Sequence, residues 1–434
     1  MHGRVIEGRG RLLVAALALM VFGLLVVAGG VQRASAQQQA RGATPGGPPI
    51  VVGSTLSLTG SFAATGIIHK IAGDTYVRWI NSHGGLLGRR VQWKVLDDES
   101  DASKVSSLYE RLITQDKVDL IMGPYATPNI VAAQAVAERH GYVLPNHTAV
   151  LTYALNYDCQ FPTWSTGAKP NLQVPQMLFA ALKSQAKPPK RIAFVTNTGG
   201  STNFISYGPP NSSEGGAVEA AKRAGFDVVL DLKYPPTVSD WGSIAAQVRD
   251  AKPDLVWNDG LAVDPVGLIQ AMRQLNYKAP QFFTLFPASG PLLTLGANGE
   301  NILSISLFEP AGRLLKRLGK NAQQVVAQFG QAARTAKLAY PVFDSQAAAS
   351  WTAWEVLAAG VAGAKSTDNG KVCGWLKANP VKTTFVGGLR FNPGNNNFPP
   401  AHMAVKQVQN SRWTIVWPKS LRTARLLAPG GKSK

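Results

Sequence analysis

The sequence predicts an α/β protein of two domains, each built on a mostly parallel sheet. Strand and helix patterns alternate in two series, the first from Ile50 and the second after Trp164. This alternation is typical of βαβ units with right-handed crossovers. The 434 residues, 45% of them hydrophobic, are enough for two domains of ordinary size with separate cores.

The first series predicts two strands and two helices before residue 116. The apolar run Ile50–Leu56 predicts a buried strand. Apolar positions at helical spacing predict a helix over 67–82, and Gly84-Gly85 is a typical stop after it. Alternating apolar and polar residues predict a second strand over 90–96, and a helix over 102–115 follows.

Three aspartates, Asp97, Asp98 and Asp101, stand between that second strand and the helix after it. Two interpretations are open. The aspartates cap and charge the N-terminus of the helix, or they are paired carboxylates for acid–base chemistry. We expect caps, because aspartate is among the residues most favoured immediately before a helix.

The stretch VDLIMGPYATPNIVAAQAVAERHGYVLPNHT, residues 118–148, predicts a strand, a tight loop, a helix and a second strand. The apolar run before Gly123-Pro124 stops abruptly, and Thr127 comes just before the helix. Ligands of open α/β sheets bind outside the carboxyl ends of the strands. The free backbone N–H groups of a helix N-terminus favour an anionic group there. We therefore expect a binding loop in which the Thr127 hydroxyl is a further donor.

The second series predicts further strands and helices, and it is followed by two long helices and a hairpin. Strands are expected at 191–196, 227–230, 254–257 and 281–285, short helices at 214–224, 244–250 and 266–275, long helices at 322–337 and 344–364, and a hairpin at 405–416. The segment 197–206 is predicted to be a loop, and the basic residues 419–434 a loose tail.

The N-terminus has the pattern of an export signal. A basic stretch precedes an apolar run over 12–28, and Ala34-Ser35-Ala36 fits a signal peptidase site. Cleavage there leaves Gln37 as the first residue of a periplasmic protein, whereas without cleavage the apolar run is a membrane anchor. Residues 37–49 are rich in Gln, Gly and Pro, which predicts a disordered leader.

The chain is strongly basic. Removal of residues 1–36, which include four arginines and one glutamate, lowers the formal net charge from +19 to +16. A surplus of this size favours an anionic ligand or contact with anionic envelope surfaces, although a solvated basic surface without a partner gives the same composition. The export signal disfavours nucleic acid as a partner.

The sequence lacks the motifs that would indicate an enzyme. It contains neither G-x-S-x-G nor H-E-x-x-H, and Gly431-Lys432-Ser433 lacks the upstream glycine of a phosphate-binding loop. The six histidines are dispersed, whereas a metal site needs convergent ligands. We therefore expect neither catalysis nor a cofactor nor a metal.

Five segments between residues 52 and 364 carry a family resemblance. They are VGSTLSLTGSFAATG (52–66), INSHGGLLGRRVQWKVLDDESD (80–101), IMGPYATP (121–128), DWGSIAAQVRDAKPDLVW (240–257) and FDSQAAASWTAWEVLAAGVAGA (343–364). In this order and spacing they resemble the branched-chain amino acid (leucine/isoleucine/valine-binding) type of periplasmic substrate-binding protein of ABC transporters. No segment is specific alone, and the combination carries the resemblance.

The resemblance implies the type I periplasmic binding protein fold, in which two doubly wound Rossmann-like lobes are joined by three hinge crossings. The implied division is 1–36 signal peptide, 37–49 leader, 50–165 plus 308–380 lobe one, 166–307 plus 381–418 lobe two, and 419–434 basic tail. Hinges are expected near 163–167, 304–310 and 379–385. Cys159 and Cys373 then lie in or near lobe one, and the sequence leaves their pairing open.

Candidate ligand-binding residues lie after strand ends in both implied lobes. In lobe one they are Thr65, Tyr125, Ala126, Thr127, His147 and Thr148, and in lobe two they are Tyr207, Asp259, Leu261 and Ala288. The resemblance places an aromatic residue of lobe two against the ligand, and Tyr207 offers both a ring and a hydroxyl. The alternatives are an ordinary polar loop for His147 and Thr148 and a core position for Tyr207.

The resemblance also bears on the ligand. Amino acid binders of this type hold the ligand ammonium with an acidic residue after a lobe-two strand, but here that loop is Phe286-Pro287-Ala288-Ser289-Gly290. The matching aromatic position is occupied by Leu261 and Ala262. A buried ammonium without a counter-charge costs several kcal/mol. We therefore expect a carboxylate without an α-amino group, unless Asp259 supplies the charge from a neighbouring loop.

The implied function is capture of a small organic ligand by hinge closure, without chemistry. The expected protein is a monomer that delivers the ligand to the membrane permease of an ABC importer. A receptor that addresses a signalling partner instead would have the same sequence pattern.

Overall fold

The computed structural model of the chain describes residues 45–148, 150, 157–164, 166–167, 169–238, 240–310, 312–391, 403–429 and 431. The predicted signal peptide, 1–36, and residues 37–44 of the predicted leader lie outside this part of the chain. In the described residues, no helix is both long and apolar enough to cross a membrane.

The described end of the predicted leader is bound to the folded body. The backbone N–H of Gly46 donates to the carbonyl of Gly88 at 2.8 Å. The Arg89 guanidinium donates to the carbonyls of Pro48 at 2.7 Å and Pro49 at 3.0 Å. The prediction of disorder is therefore wrong for residues 45–49, because their carbonyls have donors on lobe one.

Lobe one begins with alternating strands and helices, as predicted. Its first elements are β1 (Ile50–Leu56), α1 (Ala63–Ser82), β2 (Val91–Asp97), α2 (Ala102–Thr114), β3 (Leu120–Ile121), α3 (Thr127–Arg139), β4 (Leu144–Asn146) and β5 (Gln160–Pro162). β1 lies between β2 and β3, and all three are parallel. β4 pairs in parallel with β5 and is joined to the end of β3 by a 2.9 Å bond from Gly123 N–H to Pro145 O. The carboxyl ends of β3 and β4 therefore lie side by side.

Three later helices complete lobe one: α10 (Gly312–Thr335), α11 (Ser345–Ala364) and α12 (Asn369–Ala378). α11 is apolar on nearly every side, which is typical of a helix buried all round. Its Trp351 and Trp354 pack on Tyr76 of α1, with ring centroids 4.8 and 5.7 Å apart. α10 begins earlier than predicted and is broken at Gly319, where φ is 87°.

Lobe two is built on a seven-stranded sheet. Its elements are α4 (Pro170–Lys183), β6 (Arg191–Asn197), α5 (Gly200–Tyr207), α6 (Ala217–Arg223), β7 (Asp227–Tyr234), α7 (Trp241–Ala251), β8 (Leu255–Ala262), α8 (Asp264–Gln274), β9 (Gln281–Pro287), α9 (Ser289–Leu293), β10 (Leu303–Ser306), β13 (Ala404–Gln409) and β14 (Arg412–Trp417). β11 (Val381–Lys382) and β12 (Gly388–Leu389) pair with each other outside this sheet. The strand order is β14-β13-β10-β9-β8-β6-β7, and only β13 and β14 run antiparallel to their neighbours. The predicted hairpin is confirmed, with Asn410 and Ser411 at φ 54° and 56° in its turn.

One element of lobe two departs from the prediction. Residues 197–206 were expected to be a loop, but Gly200–Tyr207 forms α5. Gly199 and Gly200 begin this segment and Ser, Thr and Asn dominate it, so local propensity disfavours a helix. Buried Phe204 and Ile205, which pack in the core of lobe two, stabilise it.

The chain passes between the lobes at two described places. β5 ends at Pro162 and α4 begins at Pro170, which brackets the expected hinge at 163–167. Ser306 ends β10 in lobe two and Phe308 packs in the core of lobe one, within the expected hinge at 304–310.

The third crossing differs from the sequence prediction. Val381, Phe385, Leu389 and Phe391 are buried in the core of lobe one, where the rings of Phe385 and Phe343 lie 4.5 Å apart. Residues 381–391 therefore belong with lobe one, and both the hinge at 379–385 and the start of lobe two at 381 were placed too early. The apolar side chains of this segment determine its position, and the chain joins the sheet of lobe two at Ala404.

The basic tail is held against the hairpin in its described part. The backbone N–H of Thr423 donates to Ile415 O at 2.8 Å. Gln407 both donates to Leu427 O at 3.1 Å and accepts from Leu427 N–H at 2.9 Å. The prediction of a loose tail is therefore wrong for residues 423–427, because the Gln407 amide on β13 pairs with its backbone.

The two cysteines are bonded to each other. Cys159 stands immediately before β5 and Cys373 lies in α12, with Cα atoms 5.5 Å apart. The disulfide connects the segment around β4 and β5 to a helix of lobe one.

Candidate functional site

The aspartates after β2 hold the loop that follows β1. Asp98 is buried and accepts from Thr55 Oγ1 at 2.8 Å and from Ser57 Oγ at 2.6 Å. Burial raises the pKa of Asp98 in spite of these bonds. Asp97 accepts from the backbone N–H of Leu58 at 3.0 Å. Only Asp101 caps a helix, accepting from Ser103 N–H at 2.9 Å, so the prediction of caps is right for one aspartate of the three.

A close approach at Gly123 brings the two binding segments of lobe one together. A Cβ at this position would lie 2.8 Å from Cβ of Asn146, which is closer than carbon atoms can approach. Only glycine therefore allows the end of β3 to lie against the end of β4. The loop that carries Tyr125, Ala126 and Thr127 consequently lies next to His147 and Thr148.

The N-terminus of α3 is buried and has no side-chain cap. Ala126 precedes the helix with φ 71°, and Pro128 occupies its first turn. Thr127 is 4% exposed, and its Oγ1 has no hydrogen-bond partner among the described residues. Unpaired first-turn N–H groups and the positive end of the helix dipole make this position suited to an anion.

Three aromatic rings stack beside that helix. His69 of α1 lies between Tyr125 and His147, with ring centroids at 4.9 and 4.1 Å. Its Nε2 pairs with Gln346 Oε1 at 3.2 Å. Burial lowers the pKa of both imidazoles, to about 3 for His147, and raises the pKa of Tyr125 to about 12. The stack is therefore uncharged at neutral pH.

The structure brings the six candidates of lobe one to one surface. Thr65 lies beside the phenol of Tyr125, where its hydroxyl opposes the rise in the tyrosine pKa. Thr148 is 9% exposed, and its Oγ1 is unpartnered among the described residues. His69 joins them, although nothing in its sequence context distinguishes it from the apolar positions of α1 around it.

Lobe two contacts this surface directly. A Cβ on Gly200, the first residue of α5, would lie 3.4 Å from Thr127 Cγ2. Leu261 pairs with Phe286 across β8 and β9, and the Ala288 N–H donates to Ala262 O at 2.9 Å. Both Leu261 and Ala288 therefore lie at the carboxyl ends of neighbouring strands, on the cleft side of lobe two.

The other two candidates of lobe two are engaged elsewhere. Tyr207 is the last residue of α5. Its hydroxyl donates to Asp231 on the edge strand β7, and the centre of its ring lies 3.8 Å from Lys233 Nζ. Asp259 is fully buried and accepts from Ser206 and from Trp257 Nε1, the latter at 2.7 Å. Burial raises the pKa of Asp259 to about 7. The structure does not bring either side chain together with Thr127.

A further carboxylate, Asp264 at the start of α8, lies at the strand ends of lobe two. It accepts from Asn197 Nδ2 at 2.8 Å, Tyr234 OH at 3.0 Å and Leu261 N–H at 3.0 Å. Burial raises its pKa. It fixes the loops after β6 and β8 relative to each other.

Within the described residues, one group of metal-ligating types converges, Asp158 with Cys159 and Cys373. Both sulfurs are bonded to each other, so neither is available as a thiolate ligand.

A two-lobed fold with a cleft between strand ends is consistent with the family resemblance, and a direct comparison decides it. The family model described as periplasmic binding protein matches residues 49–412. The chain belongs to this family. Its members are extracytoplasmic proteins that bind small ligands, and the family consists of solute-binding proteins.

Among curated relatives, Leu/Ile/Val-binding protein homolog 8 of Brucella abortus is 27% identical over 235 residues, covering 52% of this chain and 55% of that protein. The match therefore spans about half the length of this relative.

Two solved structures share the fold along almost their whole length. A solute binding protein of an ABC transporter from R. palustris, in complex with benzoate, has a TM-score of 0.69 at 18% identity, covering 89% of this chain and 99% of its own. LivJ from Streptococcus pneumoniae, in complex with isoleucine, has a TM-score of 0.68 at 18% identity, and the match covers 86% of this chain and 100% of LivJ. These likenesses establish the type I periplasmic binding protein fold.

Proposed function

We propose that this chain captures a small organic carboxylate in the periplasm and delivers it to the permease of an ABC importer. The observation that carries the proposal is the N-terminus of α3, where the Thr127 hydroxyl is buried without a partner among the described residues and the Thr127 methyl group lies against Gly200 of the other lobe. A carboxylate there accepts from backbone N–H groups and from a buried hydroxyl, and the helix dipole favours its charge.

Closure of the lobes is the second part of the proposal. Thr127 lies against Gly200, and Ser289 Oγ of lobe two donates to Asp344 Oδ2 of lobe one at 3.1 Å. These contacts exist only when the lobes are together. A ligand that touches both lobes binds the closed form more tightly, and this difference in affinity sets how far it shifts the population.

The ligand that we propose lacks an α-ammonium group. The loop 286–290, in which amino acid binders of the resembling type carry an acid, has none here, and its Ala288 is 1% exposed. Asp259 is committed to Ser206 and Trp257, which removes the alternative counter-charge. Structures with this fold hold an amino acid in one protein and an aromatic acid in another. The absence of an acid from the loop 286–290 favours the aromatic acid as the model for the ligand of this chain.

Isothermal titration of amino acids beside their deaminated analogues tests this assignment. We expect benzoate and 3-phenylpropanoate to bind and phenylalanine to bind more weakly, with the same order for 4-methylpentanoate and leucine. The control is Asp264→Asn, which removes the remaining carboxylate at the strand ends of lobe two. Tighter binding of either amino acid than of its analogue, lost in Asp264→Asn, would assign an ammonium site to Asp264 instead.

Export and partner are further parts of the proposal. The mass of the protein recovered from the periplasm should correspond to a chain that begins at Gln37, and a mass that retains residues 1–36 would contradict cleavage. Deletion of the gene should abolish uptake of the labelled ligand. Intact uptake with a lost behavioural or transcriptional response would assign the protein to a signalling partner.

A further inference from the structure

The positive charge of the protein is concentrated in the last part of its chain. Residues 310–434 contain 18 lysines and arginines but only three acids, Asp344, Glu355 and Asp368, which gives a net charge of +15. Residues 37–309 account for only +1 of the +16 that remains without residues 1–36. The charge surplus therefore belongs to one part of the molecule and is not spread over its whole surface.

Helix α10 of lobe one has cations on its solvent side and no acid. Its Val325 and Phe329 are buried in the core of lobe one. No acidic residue occurs between Glu309 and Asp344. The exposed side of the helix includes four cations and four amides, which we call the α10 surface: Lys316, Arg317, Lys320, Gln323, Gln324, Gln328, Gln331 and Arg334.

The cations of this surface differ from those on earlier helices in having no acidic partner. Helices α2, α6 and α7 each carry a cation bound to an acid, in the pairs Lys104 with Glu99, Lys222 with Glu219 and Arg249 with Asp250. Within the part of the chain that the structure describes, the cations of α10 are in no ion pair. Their charge is therefore available to an anionic partner.

The composition of the α10 surface fits an extended array of anions better than a shaped protein partner. Stable protein interfaces are anchored by buried aromatic and other large side chains. Among the described residues, the exposed large hydrophobic side chains are Leu87 and Val263, and neither belongs to α10. Ammonium, guanidinium and amide groups all donate to phosphate oxygens. A bilayer with anionic phospholipids presents such oxygens, and a negative potential, over its whole plane.

We propose that the α10 surface binds membranes that contain anionic phospholipids, by electrostatic attraction and without insertion into the bilayer. The absence of an exposed apolar anchor on α10 is the reason for binding without insertion, since an inserted helix needs apolar side chains facing the lipid. Such binding holds the protein in the layer of solution next to the membrane. The proposal concerns lobe one alone and does not depend on which ligand the cleft binds.

Sedimentation with lipid vesicles tests the proposal on protein recovered from the periplasm. One set of vesicles is phosphatidylcholine alone, and the other is equal parts phosphatidylcholine and phosphatidylglycerol. We expect binding to the anionic vesicles that weakens as salt is added, because salt screens exposed charges, and little binding to the neutral vesicles. Equal binding to both sets, or binding to neither, would overturn the proposal.

A triple variant assigns the binding to the helix. Lys316→Gln with Arg317→Gln and Lys320→Gln removes three cations of the α10 surface, and we expect it to bind the anionic vesicles roughly tenfold to a hundredfold more weakly. Circular dichroism establishes that the variant is folded. If it is not, the single variant Arg317→Gln, expected to bind roughly fivefold more weakly, decides instead.

The matched control removes the same number of charges elsewhere. Lys104→Gln with Lys222→Gln and Arg249→Gln takes away three cations that already have acidic partners, and it should weaken binding by roughly twofold or less. Equal losses in the two triple variants would show that binding follows total charge, which overturns the assignment to α10. Retention of the wild type on immobilised polyglutamate without binding to anionic vesicles would assign the surface to an acidic protein.

Discussion

The two walls of the cleft use their polar groups in opposite ways. In lobe one, Thr127 and Thr148 are buried with hydroxyl oxygens that have no partner among the described residues. In lobe two, the carboxylates of Asp259 and Asp264 each have two or more donors from their own lobe. These two hydroxyls of lobe one therefore have hydrogen-bonding capacity left for a ligand, whereas the two carboxylates of lobe two use theirs to fix strand ends.

This difference assigns a separate task to each lobe. A wall with free donors at a helix N-terminus recognises the charged group of a ligand, and a wall whose polar groups are satisfied supplies shape and excludes water. Gly200, Leu261 and Ala288 fit the second task, since none of them offers a charged side chain. Four predictions test the division, in order of decreasing effect.

The largest effect concerns the ion pair between Lys406 and Glu309, where a charge of lobe two is committed to the second crossing. Lys406→Met leaves Glu309 buried without its cation, so we expect a loss of about 3–5 kcal/mol in the free energy of unfolding. Urea unfolding measures it. The double variant Lys406→Met with Glu309→Leu should recover most of the loss. The control is Lys222→Met at the exposed pair of Lys222 and Glu219, which should lose far less stability because water screens that pair. Equal losses in both single lysine variants would refute the buried charge as the cause.

The next effect comes from Asp259. Its carboxyl pKa is raised from 3.8 to about 7 by burial, so the folded protein holds a proton that the unfolded chain has lost. The contribution of this group to stability is fully present below pH 3.8 and is lost as pH rises to about 7. The unfolding free energy of the wild type, relative to Asp259→Asn, should fall by about 2–4 kcal/mol between acid and neutral pH.

Glu355 in lobe one provides the comparison, because burial raises its pKa to about 7 as well. The unfolding free energy of the wild type, relative to Glu355→Gln, should therefore also fall as pH rises from acid to neutral. The two buried histidines, His69 and His147, have lowered pKa values, so they make stability rise with pH. Both are present in the wild type and in each amide variant, so their effect cancels when the two unfolding free energies are subtracted. A difference that does not vary with pH would show that Asp259 is ionised in the folded protein.

The third prediction tests the free hydroxyls of lobe one. Thr127→Ala and Thr148→Ala should each weaken ligand binding by about 1–3 kcal/mol, because a charged ligand group loses a buried donor. Thr114→Ala, at an exposed position of α2, should leave the affinity unchanged. Wild-type affinity in both cleft variants would remove these threonines from the site.

The smallest effect distinguishes contact from backbone strain in lobe two. Gly200 has φ 47° and lies against Thr127, whereas Gly225 has φ 82° and a Cβ added to it would meet no atom within 4 Å. Valine at either position should cost about 1–2 kcal/mol of stability through strain. Only Gly200→Val should also weaken binding, by about 1 kcal/mol, since its methyl groups would separate the lobes. Equal affinities of the two variants would contradict contact at Gly200.

Much of the fold was accessible from hydrophobic periodicity. β1 matches its prediction residue for residue, and the helices α1, α2 and α11 differ from theirs by a few residues at their ends. Errors arose where local and tertiary preferences disagree. The glycines at the start of α5 disfavour a helix, but two buried side chains stabilise it. The apolar residues of segment 381–391 fit the core of either lobe, so the sequence alone does not say to which lobe the segment belongs.

The candidate site was only partly accessible from the sequence. Thr127, His147 and Thr148 follow strand ends, a position that predicts the cleft. Tyr207 follows a strand as well, but the intervening α5 moves its ring to the edge strand. His69 was missed because a histidine on the apolar face of a helix is indistinguishable from a core residue until the stack with Tyr125 and His147 is known.

The contact between Thr127 and Gly200 has a kinetic consequence. A ligand held between the lobes as we propose would leave only after they separate, so its dissociation rate would be limited by a motion of the protein and not by the breaking of individual hydrogen bonds. Ligands of different affinity should then share one slow exit step, and residence time should respond to substitutions at the crossings that never touch the ligand.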